Sequence, residues 1–314
     1  MAVVSAPQVS PYVDPRTYLM TFSLRFINTD ATVNSLEIYM PLPVTWDSQK
    51  DVTLQQTNPQ VTSQLQDNYG NGILYWRLGT VNQGSTTDVS MQVTFTAYNI
   101  EYQIDPNMVG SYDKSSAEYM LYTRSENYVE AAYGPIARKA QQLVGSETNP
   151  YRQARLIYDW VMKYMTYKLV GFKGAKFAYD NGYGECGEYS ALFAALSRAV
   201  GIPARLVVGL VWDRKVWSRP GQYPNGDDRG IHVWAEFLLP GYGWIPADAE
   251  RGARKPDDYF AKEPDSNVFL IMSKGTNIQL TSDLIEPIFQ HGAYWYHGQT
   301  GKTSLRYSYT IATA

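Results

Sequence analysis

The sequence predicts an α+β protein in two units. A small β-sandwich lies within residues 1–104, and residues 105–314 form a second domain in which helices pack on an antiparallel sheet and which carries C-terminal strands. Three observations predict this. The first hundred residues show period-two alternation and no helical period, the stretch from Pro135 to Val200 shows helical periodicity, and short apolar runs return after Pro203. A chain of 314 residues is also long for a single core.

In the first unit, Tyr18, Met20, Phe22, Leu24 and Phe26 alternate with Leu19, Thr21, Ser23 and Arg25. Met91, Val93, Phe95 and Ala97 do the same against Gln92, Thr94 and Thr96. That is the pattern of half-buried strands. Shorter strands are expected at Ser35–Met40 and Ile73–Leu78, with a turn at Asn68–Gly72. Several short strands of this kind imply a sandwich, whose expected role is structural, as a spacer, in preference to a dedicated binding surface.

Pro135 is placed to open a helix toward Leu143, with Gly145 as its stop. Asn149-Pro150 is a cap followed by a first-turn proline, and Ala154, Ile157, Tyr158, Val161, Met162 and Met165 then recur at helical spacing. A third helix follows Cys186, burying Tyr189, Leu192, Phe193, Leu196 and Val200, and Gly201-Ile202-Pro203 ends it. Strands are expected at Leu206–Trp212, Val233–Leu239, Trp244–Ala247, Val268–Met272 and Leu305–Ile311. No internal repeat or low-complexity segment is present.

The composition narrows the function. With 27 Lys and Arg against 30 Asp and Glu, there is no basic excess to recruit nucleic acid or an anionic membrane. No run approaches the length of a membrane-spanning helix. Only 18% of residues are charged while Tyr numbers 26, which points to a secreted or cell-envelope protein whose leader is absent from this chain. A cytoplasmic location is the alternative. One cysteine excludes an internal disulfide, so the redox compartment cannot be read from bridges.

That cysteine carries the chemistry. Cys186 sits in Gly182-Tyr-Gly-Glu-Cys186-Gly-Glu-Tyr-Ser, where the third helix begins. A helix N-terminus favours thiolate, so a thiol more reactive than a free cysteine near neutral pH is expected. A lone free cysteine is more often a small core residue. Two further residues tip the balance. His232 begins a strand in Ile231-His232-Val-Trp-Ala-Glu-Phe, and Asp248 ends the next in Gly243-Trp-Ile-Pro-Ala-Asp248. A hairpin brings them together, and a His held by a carboxylate keeps the tautomer that accepts a thiol proton and returns it to a leaving amine. Register decides whether they meet. If Leu239 pairs with Trp244, Asp248 points away from His232; if the loop is odd and Leu239 pairs with Gly243, the two lie diagonally on one face. An odd loop or a bulge is therefore expected.

The blocks Gly-Glu-Cys186-Gly-Glu-Tyr-Ser-Ala-Leu-Phe-Ala-Ala-Leu-Ser-Arg-Ala-Val-Gly-Ile-Pro-Ala-Arg205, His232-Val-Trp-Ala-Glu and Gly-Trp-Ile-Pro-Ala-Asp248 resemble the core of the transglutaminase-like superfamily. That group is similar in plan to papain-like proteases, and the likeness covers about residues 115–260. It implies Cys186 as nucleophile, His232 as general base and acid, and Asp248 as the residue that orients His232. It also implies an oxyanion site that includes the Cys186 backbone N–H, with Tyr167, Tyr183 and Trp234 as candidates for the second donor.

Other signals carry less. Gly182-x-Gly184-x-x-Gly187 matches a dinucleotide fingerprint but follows no buried strand and has no acidic residue at the expected distance. His291 and His297 read as packing or surface residues. No zinc-type cluster of closely spaced ligands is expected, nor any cofactor. Asn225–Arg229 and Asp257-Asp258 read as solvated acidic loops in preference to calcium sites. Glu185 and Glu188 flank the nucleophile and would either raise its pKa or attract an amine. The expected activity is attack on an amide or peptide carbonyl through a thioester acyl-enzyme, with a protein or peptide as substrate. Hydrolysis is favoured over cross-linking; a transglutaminase with an amine acceptor and a non-catalytic scaffold are the alternatives.

Overall fold

The computed structural model describes residues 10–46, 48–212, 230–298 and 302–314. Six strands open the chain: β1 (Tyr12–Asn28), β2 (Val33–Leu42), β3 (Gln49–Asn58), β4 (Ser63–Gln66), β5 (Gly72–Arg77) and β6 (Thr86–Glu101). Their alternation has the expected consequence. Tyr18, Met20, Phe22, Leu24 and Phe26 of β1, with Met91, Val93 and Phe95 of β6, face Ile38, Met40, Leu74 and Trp76 across one apolar cluster, so two antiparallel sheets bury their inner faces on each other.

Helices follow: α1 (Ala117–Thr123), α2 (Gly134–Val144) and α3 (Pro150–Tyr164). Pro135 lies in the first turn of α2, and Gly145 ends it at φ 53°, a conformation that favours glycine. Asn149 caps α3 through its side chain, which accepts from the Tyr151 and Arg152 amides. Next come β7 (Thr166–Tyr167), α4 (Gly174–Asn181), β8 (Tyr183–Gly184) and α5 (Cys186–Ala199). Then β9 (Ala204–Val211), β10 (Ile231–Leu239), β11 (Gly243–Ala247), the one-turn α6 (Ala249–Gly252) and β13 (Phe269–Lys274) complete the second unit's frame, while β12 (Lys262–Glu263), between α6 and β13, pairs with β6 at the edge of the first unit's sheet.

The second sheet runs β11-β10-β9-β13, antiparallel throughout. One face carries Leu206, Val208, Val233, Ala235 and Phe237 against α5, with α2 and α3 behind in the same cluster. The other face carries Val207, Trp234, Phe269 and Ile271. On that face Glu236 is buried between two cations, with Arg205 Nη2 at 2.7 Å and Lys274 Nζ at 3.0 Å. Arg205 in turn lies 3.7 Å from the Trp244 ring centre.

A short hairpin, β14 (Ile278–Gln279) with β15 (Ile285–Glu286), precedes β16 (Ala293–Gly298) and β17 (Thr303–Thr313). These last two strands depart from the expected division of the chain. They were expected within residues 105–314, yet β17 pairs with β1 along its length and β16 pairs with β2, so the C-terminus completes both sheets of the first unit. Tyr307 stacks on Phe22, and Tyr294 packs edge-on against Phe26. Pairings across some 280 residues leave no trace in local periodicity.

Candidate active site

Three residues, Pro240 to Tyr242, join β10 to β11, and Leu239 pairs with Gly243. This is the odd loop that register demanded. Pairing runs to Ala235 opposite Ala247, so continuing it sets Asp248 opposite Trp234 and diagonal to His232. The two side chains meet: His232 Nε2 and Asp248 Oδ2 are 2.5 Å apart, both residues buried.

Every polar atom of Asp248 is engaged. Its backbone N–H donates to the Tyr259 carbonyl at 3.0 Å, and its carbonyl accepts from the Gly252 amide at 2.9 Å and faces the Tyr158 hydroxyl at 3.3 Å. Oδ1 accepts from the Arg251 amide at 3.1 Å, because Asp248 is also the N-cap of α6. Burial alone would raise its carboxyl pKa. His232 and Arg251 outweigh that and hold it below the usual carboxylate range. Behind His232, Trp234 stacks at 6.1 Å between ring centres and Phe269 meets it edge-on. Trp234 fits because Gly209, the strand partner of His232, lacks a Cβ: one added there would fall 2.8 Å from the indole.

Cys186 is the first residue of α5 and is partly buried. Strand β11 stops at Ala247, leaving the edge of β10 open beyond it, and the tip of α5 fills the gap. There the Val233 amide hydrogen-bonds to the Cys186 thiol, while the Ser190 hydroxyl donates toward the Val233 carbonyl at 3.0 Å and the Cys186 carbonyl at 2.8 Å. Val233, the residue after His232, thus ties β10 to the tip of the helix that bears Cys186. With Nε2 committed to Asp248, Nδ1 is the ring nitrogen that remains.

The thiol's electrostatics differ from expectation. Removal from water, then the carboxylates of Glu250, Glu185 and Asp248, push its pKa well above that of a free cysteine, with only the Val233 amide opposing. The helix N-terminus does not prevail against burial and Glu250, and α5 also carries a capping box. The Glu185 side chain takes the amide of Glu188, and the Glu188 side chain takes the Glu185 amide at 3.0 Å, so two carboxylates answer the positive helix end. These flanking glutamates also hold the preceding loop, through the Lys173 amide at 2.7 Å and the Val170 amide at 3.4 Å. Between them Gly187 lies against Phe172, and Gly184 against Glu188, at distances no Cβ would tolerate. Of the glycines that imitate a dinucleotide motif, these two are therefore there for packing, and Gly182 ends α4 at φ 71°.

Of the oxyanion candidates, Tyr183 is taken up by the Lys168 ammonium, 4.4 Å from its ring centre, and by Phe177. Trp234 backs His232. Tyr167 pairs in β7 with Gly184, two residues before Cys186. His291 stacks on Tyr307, His297 is exposed, and Asp257 meets Arg155 on the surface; Asn225–Arg229 lies outside the described residues. Sequence reasoning missed Tyr158, Ser190, Arg251 and Glu250 around the triad. Only Asp248 as a helix cap, two residues before Glu250, was a usable signal for them.

A profile described as the transglutaminase-like superfamily matches residues 137–249. An uncharacterized protein of Haemophilus influenzae is 28% identical over 150 residues, 43% of this chain and 40% of that protein. A protein-glutamine gamma-glutamyltransferase of Pseudomonas aeruginosa is 33% identical over 72 residues, 23% of this chain and 10% of that protein. The chain thus spans well under half the length of these curated relatives. Among solved structures, a candidate cysteine protease from Cytophaga hutchinsonii shares the fold, with a TM-score of 0.61 at 14% identity over 96% of this chain and 91% of that one. The match to the transglutaminase-like superfamily profile runs from within α2 to the first residue of α6 and so takes in Cys186, His232 and Asp248.

Proposed function

We propose that this chain is a cysteine-dependent acyl-transfer enzyme acting on amide or peptide bonds, with water as the final acceptor. The observation that carries the reading is the buried His232–Asp248 contact, reached through an odd hairpin loop and tied by Val233 to the helix tip that bears Cys186. The Cys186 sulfur attacks the carbonyl carbon as His232 Nδ1 takes its proton, and Asp248 stabilises the imidazolium. The Cys186 amide and a second donor, for which Tyr167 is the best placed by its pairing with Gly184, hold the oxyanion. The C–N bond then breaks, His232 returns the proton to the leaving amine, and a thioester remains. Water attacks this thioester, giving its proton to His232; the acid departs and the thiol re-forms.

The raised thiol pKa runs against the reactive thiolate expected from the helix N-terminus, so this reading requires a base to take the thiol proton as substrate arrives. A second reading has an amine resolve the thioester, and the named gamma-glutamyltransferase relative favours it. The same triad serves both. The composition supports placing the protein outside the cell or in its envelope, and among the described residues no helix is long and apolar enough to cross a membrane.

The test is a comparison of the wild type with Cys186→Ala on casein-type proteins, glycopeptides, and a glutamine donor with a fluorescent amine. New peptide ends or free acid that vanish in the variant support hydrolysis. Amine incorporation that vanishes moves the acceptor to the second reading. Activity unchanged in the variant refutes both.

A further inference from the structure

Glu250, two residues beyond Asp248, brings a second carboxylate to the site. One oxygen of its buried carboxylate, one of Asp248 and a ring nitrogen of His232 all lie within 4.8 Å of one another. The Cys186 thiol feels Glu250 more strongly than any other charge. Arg254 stands 3.8 Å from Glu250, and the Arg251 guanidinium 3.8 Å from Asp248. From these positions we infer that the His232–Asp248–Glu250 cluster is an inhibitory binding site for Zn2+.

The donor chemistry selects the ion. One imidazole nitrogen and two carboxylate oxygens suit zinc, whereas calcium and magnesium take shells of six or more ligands, almost all oxygen. Donors on a tetrahedral zinc stand about 3.3–3.6 Å apart, so small side-chain rotations close the set. The ion takes the place of the proton between Nε2 and Oδ2, and that proton moves to Nδ1 on the same ring. Nδ1 is the nitrogen that takes the thiol proton in the proposed reaction, so a zinc-loaded His232 carries a proton where the base needs a lone pair. Asp257-Asp258 and the other histidines offer nothing comparable among the described residues: His291 is stacked on Tyr307 and Asp257 is paired with Arg155. The sequence expectation of no close-ligand cluster overlooked Glu250 because it counted sulfur.

This proposal concerns regulation of the site on which the proposed function rests, but it is tested on protein that cannot react. Cys186→Ala protein is titrated calorimetrically with zinc sulfate. One equivalent is expected to bind, with affinity falling by about tenfold or more when Glu250→Gln is added and vanishing with His232→Asn, all variants being checked for native circular dichroism. In the wild type, zinc is expected to slow iodoacetamide alkylation of Cys186, and EDTA to restore it, which needs no variant. Binding no tighter than about 1 mM, equal affinity with and without Glu250, or alkylation indifferent to zinc would overturn the proposal. None of these results bears on whether Cys186 turns over a substrate.

Discussion

Replacing Asp248 with Asn tests the site at its most constrained point. The substitution keeps size and shape but exchanges one acceptor oxygen for an NH2 donor. Both carboxylate oxygens are in use, Oδ2 on His232 and Oδ1 on the Arg251 amide. The amide N–H of Arg251 can only donate, so the single Asn oxygen must face it. The NH2 group then points at His232 Nε2, which must accept, and the ring proton moves to Nδ1 toward the thiol. His232 is left without a lone pair for Cys186 and without a counter-charge for its protonated form. Loss of a triad carboxylate by this route lowers turnover by roughly 10^4-fold, or about 5.4 kcal/mol of transition-state stabilisation at 1.36 kcal/mol per tenfold. The assay is turnover at saturating concentration of whichever substrate the Cys186-dependent screen identifies. The Michaelis constant should change little, since Asp248 is buried and does not touch substrate. A variant within tenfold of wild-type turnover would refute the tautomer argument.

Three more outcomes follow from the same geometry. Gly209→Ala sets a methyl 2.8 Å from the Trp234 indole, which is stacked on His232, and should cost about 1–3 kcal/mol in urea denaturation and slow turnover although residue 209 touches no substrate; wild-type activity would show that Trp234 does not hold His232 in place. Glu236→Gln leaves Arg205 and Lys274 buried without their carboxylate and should cost about 3–5 kcal/mol at pH 7. Burial works against the charged form of Glu236, but Lys274 and Arg205 prevail and depress its pKa. Its stabilisation is therefore complete above the unfolded carboxyl value near 4.5 and lost as pH falls through the lower folded value, so the variant's acid limb should be the flatter. Lastly, the rate of Cys186 alkylation by iodoacetamide should rise with pH along a curve displaced above that of a free cysteine, a displacement that denaturation abolishes; a curve at or below the free-thiol value would contradict the placement of Glu250 and Glu185.

Much of this was legible in the residues. The alternation of Tyr18 to Phe26 gave β1 its buried face, Asn149-Pro150 marked α3, and counting from Leu239 showed that only an odd loop sets Asp248 and His232 on one face, the loop that is present. These are local signals, written in periods of two and 3.6 residues and in turn length. What stayed hidden depends on partners distant in sequence or on residues without pattern. Gln49–Asn58 is a mostly polar strand beside β6, with too few apolar side chains to announce itself. The return of β16 and β17 to the first unit rests on pairings that no window contains. At the site, Cys186 begins α5 as expected, but the dipole alone gave the wrong sign for its thiol; the flanking Glu185 pointed the right way, while burial and Glu250, the larger causes, had no sequence signal. Glu250 went unread since its importance comes from the turn at Asp248 that folds it back toward His232.

The most direct test of the central claim is mass spectrometry of the acyl-enzyme. Protein mixed with a panel of N-acyl amino acid p-nitrophenyl esters and quenched in acid should carry one acyl group, on the Cys186 peptide. The adduct should be absent in Cys186→Ala and should form at least about 100-fold more slowly in His232→Asn, since the resting thiol is protonated and depends on that base. An acyl group on another residue, or acylation of Cys186 undiminished without His232, would contradict the account.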